Sequence, residues 1–311
     1  MKYNYFNIFI ILLCFASCRT DNSITPNSNC ITIPAAPIGF GYNFIIDTLK
    51  PSYEAPYFNP NNSDEIVLLI NDFNKSVFGL YYFNLRTNQK KLLYNKRVNF
   101  QPKWGRNGWI LFCSNDNQLW KVKPNGDSLT QITFVGSNFQ PEWNKEADKY
   151  IMSSFINNNY KTIIYDANNN VVYKDSIFLG DPFFCWQHDS LLCSLNSGYL
   201  FYLNPSKFKT VIYIKSIDES SGSSFWIDNS NILYCGTDGL YINNILSHNE
   251  TKIKDACNSR YYVFLSYSSI SNKIIASKVE RNLINSNTLY VKSYLVTMNI
   301  DGTNEKEIII P

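Results

Sequence analysis

The 311-residue chain has only two histidines, His188 and His248, which excludes a multi-histidine metal site. It has no Cys-x-x-Cys, no Gly-x-Ser-x-Gly, no phosphate-binding loop and no dinucleotide fingerprint. The usual zinc, redox, nucleophile-elbow and nucleotide motifs are therefore missing. Charge is scarce, at 17% of residues, and 28 basic against 25 acidic residues leave a net +3. That balance gives no electrostatic footprint for nucleic acid. With 13 Gly and 12 Pro, the chain is neither collagen-like nor linker-dominated. After residue 17 no apolar run is long enough to cross a bilayer as a helix. Aromatic residues are plentiful instead, at 16%, which argues against disorder. The length allows two ordinary domains or one large one.

Residues 1–17 read as a targeting segment. Lys2 supplies an early positive charge, and Phe6 to Ala16 is apolar apart from Asn7. That run suits a secretory signal and is too short for a transmembrane helix. It ends in Phe15-Ala16-Ser17-Cys18, which resembles a bacterial lipobox with Phe15 where the family prefers Leu. The resemblance implies lipidation of Cys18 and membrane attachment through the lipid alone. An ordinary cleaved signal peptide is the competing reading. Residues 18–41 are rich in Ser, Thr, Asn and Pro and read as a flexible tether. Arg19 is not the acidic residue linked to inner-membrane retention, so the resemblance implies the outer membrane, with its periplasmic or surface face left open.

From residue 42 onward, short β-branched and aromatic runs alternate with Asn, Asp, Ser and Gly, the pattern of an all-β domain. Gln101-Pro102-Lys103-Trp104 recurs as Gln140-Pro141-Glu142-Trp143. The anchors Phe58, Trp104, Trp143, Trp186, Trp226 and Tyr267 follow at separations of 46, 39, 43, 40 and 41 residues. Four short strands per unit of about 40 residues mark a propeller blade. Six anchors predict a six-bladed β-propeller of four-stranded antiparallel blades over residues 42–311. Stacked blades cover both apolar faces of each sheet, so the anchors are expected as packing between neighbours. A strand within Tyr42–Leu49 is expected to pair into the last blade and close the ring.

The repeat resembles that of TolB-type propellers. Residues 100–133 carry it best, through Pro102, Trp104, Gly108, Phe112-Cys113-Ser114, Leu119-Trp120 and Asn125-Gly126. Pro141-x-Trp143 carries a second copy, and Asp301-Gly302 resembles the end of another. The Ser-Pro-Asp-Gly usual after the Trp is degraded throughout.

Cys113, Cys193 and Cys235 lie at similar distances after their anchors and suit buried thiols on separate blades. Cys30 and Cys257 are a possible disulfide pair. Both histidines fall in polar turns. Ligands of propellers commonly meet the loops before the innermost strands, which here carry Glu54, Arg97, Gln101, Gln140, Asp181, Asp218, Glu219 and Arg260. No catalytic set, metal site or cofactor is expected. The reading that follows is a monomeric, membrane-tethered envelope module that binds a protein partner. The alternative is a glycan or peptide sensor, or a hydrolase or lyase, with its site in the central mouth. Replacing Cys18 (Cys18→Ala) should move the protein from the membrane to the soluble fraction and abolish incorporation of labelled fatty acid. Unchanged partitioning would remove the lipid anchor from the argument.

Overall fold

The structure is a computed structural model. It describes residues 30, 33, 43–46, 50–175, 183–188, 191–196, 199–204, 209–216, 224–236 and 238–311. Between residues 175 and 223, the side chain of Trp186 alone is described.

Strand β1 (Asn43–Ile46) precedes the repeats. The first unit holds β2 (Ser52–Asn59), β3 (Asn62–Asp72), β4 (Val77–Asn84) and β5 (Lys90–Tyr94). The second holds β6 (Val98–Trp104), β7 (Ile110–Ser114), β8 (Leu119–Val122) and β9 (Thr130–Gln131). The third holds β10 (Ser137–Trp143), β11 (Lys149–Ile156), β12 (Asn159–Asp166) and β13 (Val171–Asp175). The fourth holds β14 (Phe183–His188), β15 (Leu191–Asn196), β16 (Tyr199–Asn204) and β17 (Lys209–Ser216). The fifth holds β18 (Ser224–Trp226), β19 (Asn231–Gly236), β20 (Gly239–Asn244) and β21 (Glu250–Asp255). The chain ends in β22 (Arg260–Ser268), β23 (Lys273–Asn285), β24 (Thr288–Asn299) and β25 (Lys306–Ile308).

Each of the first five units is a four-stranded antiparallel sheet with its strands in chain order. The molecule is thus a propeller with five four-stranded blades, not the six that the anchor count predicts. The last unit departs from the pattern because its second and third strands are long, at 13 and 12 residues, while β25 has only 3. β25 covers Leu295–Thr297 of β24 in antiparallel register. The other end of the same edge, Thr288–Val291, is taken by β1 in parallel register. The result is a five-stranded closing sheet. The expected N-terminal closure is therefore present, but the two chain ends share the outer edge. First strands contact one another in cyclic order, β2 with β6, β6 with β10, β10 with β14, β14 with β18, β18 with β22, and β22 with β2.

This stacking buries both faces of a sheet, as β7 shows. In β7, Ile110 and Phe112 join a cluster with Val67, Leu69 and Leu80 of the first blade. The alternate residues Leu111 and Cys113 point the other way, to Trp143, Tyr150 and Met152 of the third. That is the period-two alternation of a strand with two apolar faces. Phe58, Trp104, Trp143, Trp186 and Trp226 are all buried, and Tyr267 is half-buried. Trp104 packs back on the first blade, and Phe58 packs on Ile275 and Leu295 of the closing sheet. Cys113 is a free, buried thiol that burial pushes up to about 12, and Cys235 is buried as well. The side chains of Cys185 and Cys193 lie outside the described residues.

Four inner strands carry the same irregularity. Ala55, Phe100, Gln140 and Phe264 have φ between 50° and 63°. Each falls where the pairing register shifts in β2, β6, β10 or β22. These are β-bulges, which bend the strand and re-aim the residues after them. The turn before β25 holds its own close approach. Gly302 has φ +78°, and a Cβ there would lie 2.0 Å from the carbonyl oxygen of Ile253 on the preceding blade.

Hydrogen bonds stitch the seam between first blade and closing sheet. The Ala55 N–H donates to Ser277 Oγ at 2.9 Å, and the Phe58 N–H donates to Ser266 Oγ at 3.2 Å. Tyr53 donates its hydroxyl to the Ile310 carbonyl at 3.1 Å. Cys30 is disulfide-bonded to Cys257, with Cα atoms 6.3 Å apart and 227 residues between them in sequence. Asn258 Nδ2 donates to the carbonyl of Ile33, which is buried. Two residues of the segment read as a tether therefore lie against the loop that leads into β22. A crosslink over so long a loop restricts the unfolded chain strongly, and loss of such a bond costs about 2–5 kcal/mol. Cys30→Ser, or a mild reductant, should lower the melting temperature by several degrees in differential scanning calorimetry. Cys113→Ser should leave the reductant-sensitive shift in place.

Candidate functional site

A cavity of about 700 Å³ opens on the axis of the ring. Its walls come from the C-terminal ends of the inner strands and the turns after them. Trp104, Trp143, Trp186, Trp226 and Tyr267 all line it. The turns contribute Arg106, Asn144, Lys145, Asp228, Asn231 and Ser269.

The floor is aromatic. Tyr57 lies 5.7 Å from Phe225, centroid to centroid, and Phe225 lies 6.4 Å from Tyr267. Rings of the first blade, the fifth blade and the closing sheet thus meet across the axis. Beside them runs a buried polar chain, and its Glu142 also lines the cavity. Lys103 Nζ is 2.7 Å from Glu142 Oε2, with both side chains almost fully buried. Tyr57 donates its hydroxyl to Glu142 Oε1 at 3.3 Å. Lys103 also donates to Gln101 Oε1 at 3.1 Å and lies 5.0 Å above the Tyr57 ring. Gln101 Nε2 donates to the carbonyls of Pro56 and Leu265 at 2.7 and 3.1 Å. Burial pushes the Glu142 carboxyl up, and Lys103 and Tyr57 work against that shift. A buried ion pair of this kind is held by its hydrogen bonds, since desolvation offsets much of the Coulomb attraction.

The polar rim is largely occupied by its own turns. Asp228 accepts from the N–H groups of Ser230 and Asn231 and from Asn231 Nδ2 at 2.7–2.9 Å. Burial acts against its carboxylate, but those hydrogen bonds prevail and hold it below the usual range. Asn144 Oδ1 accepts from the N–H groups of Asp148 and Lys149, both at 3.1 Å. These are side-chain-to-backbone turns of the kind Asn and Asp favour. Among the described residues, no group of three His, Cys, Asp or Glu could hold a metal ion.

The residues singled out before the inner strands lie away from this cavity or beneath it. Glu54 accepts from Asn71 Nδ2 at 3.4 Å. The Arg97 guanidinium lies 4.2 Å over the Phe78 ring. Arg260 pairs with Glu280 at 3.4 Å. Gln140 is buried, and Gln101 belongs to the axial chain beside the floor. Asp181, Asp218 and Glu219 lie outside the described residues. None of the five described residues among them lines the cavity. The cavity opens at the other end of the same strands.

The solved structures similar to this chain share its fold at low identity. A putative TolB from Agrobacterium tumefaciens is 14% identical, with TM-score 0.54 over 73% of this chain and 86% of that one. An oligogalacturonate lyase from Vibrio parahaemolyticus is 16% identical, with TM-score 0.53 over 82% and 77%. The β-propeller domain of the Trilobed protease from Pyrococcus furiosus is 12% identical, with TM-score 0.54 over 83% and 95%. These likenesses establish a β-propeller. No protein-family profile matches the chain, and neither does any curated protein. The propeller fold supports many unrelated activities, so the site must carry the functional argument.

Lys103, Glu142, Tyr57 and Phe225 are the residues that sequence reasoning missed. All four stand one place before an anchor, and the signal was in the repeat. Pro102-Lys103-Trp104 and Pro141-Glu142-Trp143 differ at their middle residue, and in opposite charge. Alternation along a strand sends the residue before an inter-blade anchor to the axis. Lys103→Met should destabilise the fold by about 3–5 kcal/mol by leaving Glu142 buried without its partner. Adding Glu142→Leu should recover most of that loss in urea denaturation. Additive costs would show that the two groups do not act as a pair.

Proposed function

We propose that the protein is an exported, non-catalytic ligand-binding propeller that takes a glycan or peptide segment into its axial cavity. In this reading residues 1–17 export the chain and Cys18 is lipidated. The closing sheet serves as the sixth blade of a monomer held at the outer membrane. The observation that carries the binding role is the cavity: its volume is within the roughly 300–1,000 Å³ of small-ligand sites, with an aromatic floor and a polar rim. Catalysis by a lyase or a peptidase, activities named for some propellers of similar fold, calls for a base free to take up a proton. Here Glu142 is held by Lys103 and Tyr57, and Asp228 by its own turn.

A second reading keeps the opposite end of the ring as a docking face for an envelope protein. It is favoured by Phe134 and Val135, which are 74% and 65% exposed on the connection from β9 to β10. One experiment separates the two. On an array of glycans and peptides, the protein should bind a subset of ligands. Phe225→Ala and the rim-blocking Ser269→Trp should each weaken that binding about tenfold or more. Phe134→Ser with Val135→Ser should leave it unchanged. The reverse pattern would move the site to the docking face.

A further inference from the structure

The cavity wall is uneven in charge and hydrogen-bonding capacity. Trp104 and Trp143, on adjacent blades, are 2% and 4% exposed, and both line the cavity. Their indole nitrogens are sealed from the cavity and have no acceptor among the described residues. Two residues after each Trp stands a cation on the rim, Arg106 in one blade and Lys145 in the next. Both are exposed, and neither has an ion-pair partner among the described residues. This side of the cavity therefore offers donors and positive charge.

The two carboxylates among the described lining residues are engaged within the protein. Glu142 pairs with Lys103. Asp228, on the fifth blade, gives its oxygens to its own turn. The floor supplies the half-buried faces of Phe225 and Tyr267. Ring faces of that kind pack against the C–H surface of a sugar. Arg106 and Lys145 would hold acidic groups by charge-assisted hydrogen bonds.

We infer that the cavity takes an anionic oligosaccharide, with its carboxylates at Arg106 and Lys145 and its sugar rings over Phe225 and Tyr267. This rests on the cavity being the ligand site. A uronate oligosaccharide fits better than an acidic peptide because rigid rings use the aromatic floor while their carboxylates stay at the rim.

The test is calorimetric titration of the purified protein with trigalacturonate, its methyl ester, and a hexaglutamate peptide. The acid should bind at least about tenfold more tightly than the ester, and raised salt should erase that preference. Arg106→Ala with Lys145→Ala should abolish it without changing the melting temperature. Equal affinity for acid and ester, or a preference that survives the double substitution, would overturn the inference while leaving the cavity as the binding site. Binding of the peptide alone would overturn the sugar assignment, and so would binding of none of the three. Failure of the cavity reading itself has a separate signature, namely array binding that Ser269→Trp does not affect.

Discussion

Closure of the ring is the constraint on which the rest of this structure depends. A blade here has two apolar faces, as the split of Ile110 and Phe112 from Leu111 and Cys113 shows. An open stack would leave one such face bare at each end. The exposed strip would include Phe58, Ile66 and Leu68 on one side and Ile275 and Leu295 on the other. Hydrophobic burial therefore favours joining the first blade to the last sheet, at roughly 25 cal/mol for each Å² of apolar surface covered. The seam shows how this is done. Backbone N–H groups freed by the bulge at Ala55 reach serines of the closing sheet, Gln101 spans to Leu265, and the chain ends lie side by side on β24. The crosslink from Cys30 to Cys257 ties the N-terminal segment to the loop entering that same sheet.

Closure also creates the axis. Once the inner strands face a common centre, the residues before the anchors converge there, and any charge among them loses water. Lys103 and Glu142 resolve this by facing each other from adjacent blades, with Tyr57 and Gln101 completing their hydrogen bonds. Such a network adds little net stability compared with an apolar core of the same shape. Its effect is on register. A slip of one residue in β6 or β10 would turn the charge into an inter-blade face and bring an apolar anchor to the axis. Lys278, Lys254 and Tyr262 converge on Glu305 at the outer side of the closing sheet in a comparable way. Burial opposes ionisation of Glu305, but those partners prevail and lower its carboxyl to about 2.

The architecture was legible in the sequence because burial dictates it. Anchors spaced by about one blade, turns such as Asn125-Gly126, and alternating apolar strands all act locally, and local rules survive folding. The count of four-stranded blades was less legible. It turned on β25 being too short to cover β24, and on β1 taking the remaining edge in parallel register. Neither strand has a pattern that specifies its partner, and for β1 that partner lies 245 residues away. The disulfide was legible only as one possible pairing, since spacing does not fix which cysteines meet. The candidate site was least legible. General experience of propellers favours loops before the inner strands, and those loops do carry polar residues. Strand bulges re-aim the residues after them, and a residue such as Phe100 or Phe264 at positive φ gives no compositional cue.

The same physics that hid the cavity also argues for what it does. A repeat scaffold uses its polar side chains heavily for its own turns, so most Asn and Asp at the rim are occupied in folding rather than free for ligands. That occupation is visible at Asn144, Asp228 and Asn231, whose side chains hold the turns they belong to. Polar groups that the scaffold leaves over are therefore more telling than polar groups as such. Around the axis these are Arg106 and Lys145. Both are donors, and they come from two successive copies of one repeat. A site built by repetition presents repeated chemistry, so it matches a ligand that is itself a repeat. Binding then gains from two modest contacts made at once, with no single strong one required.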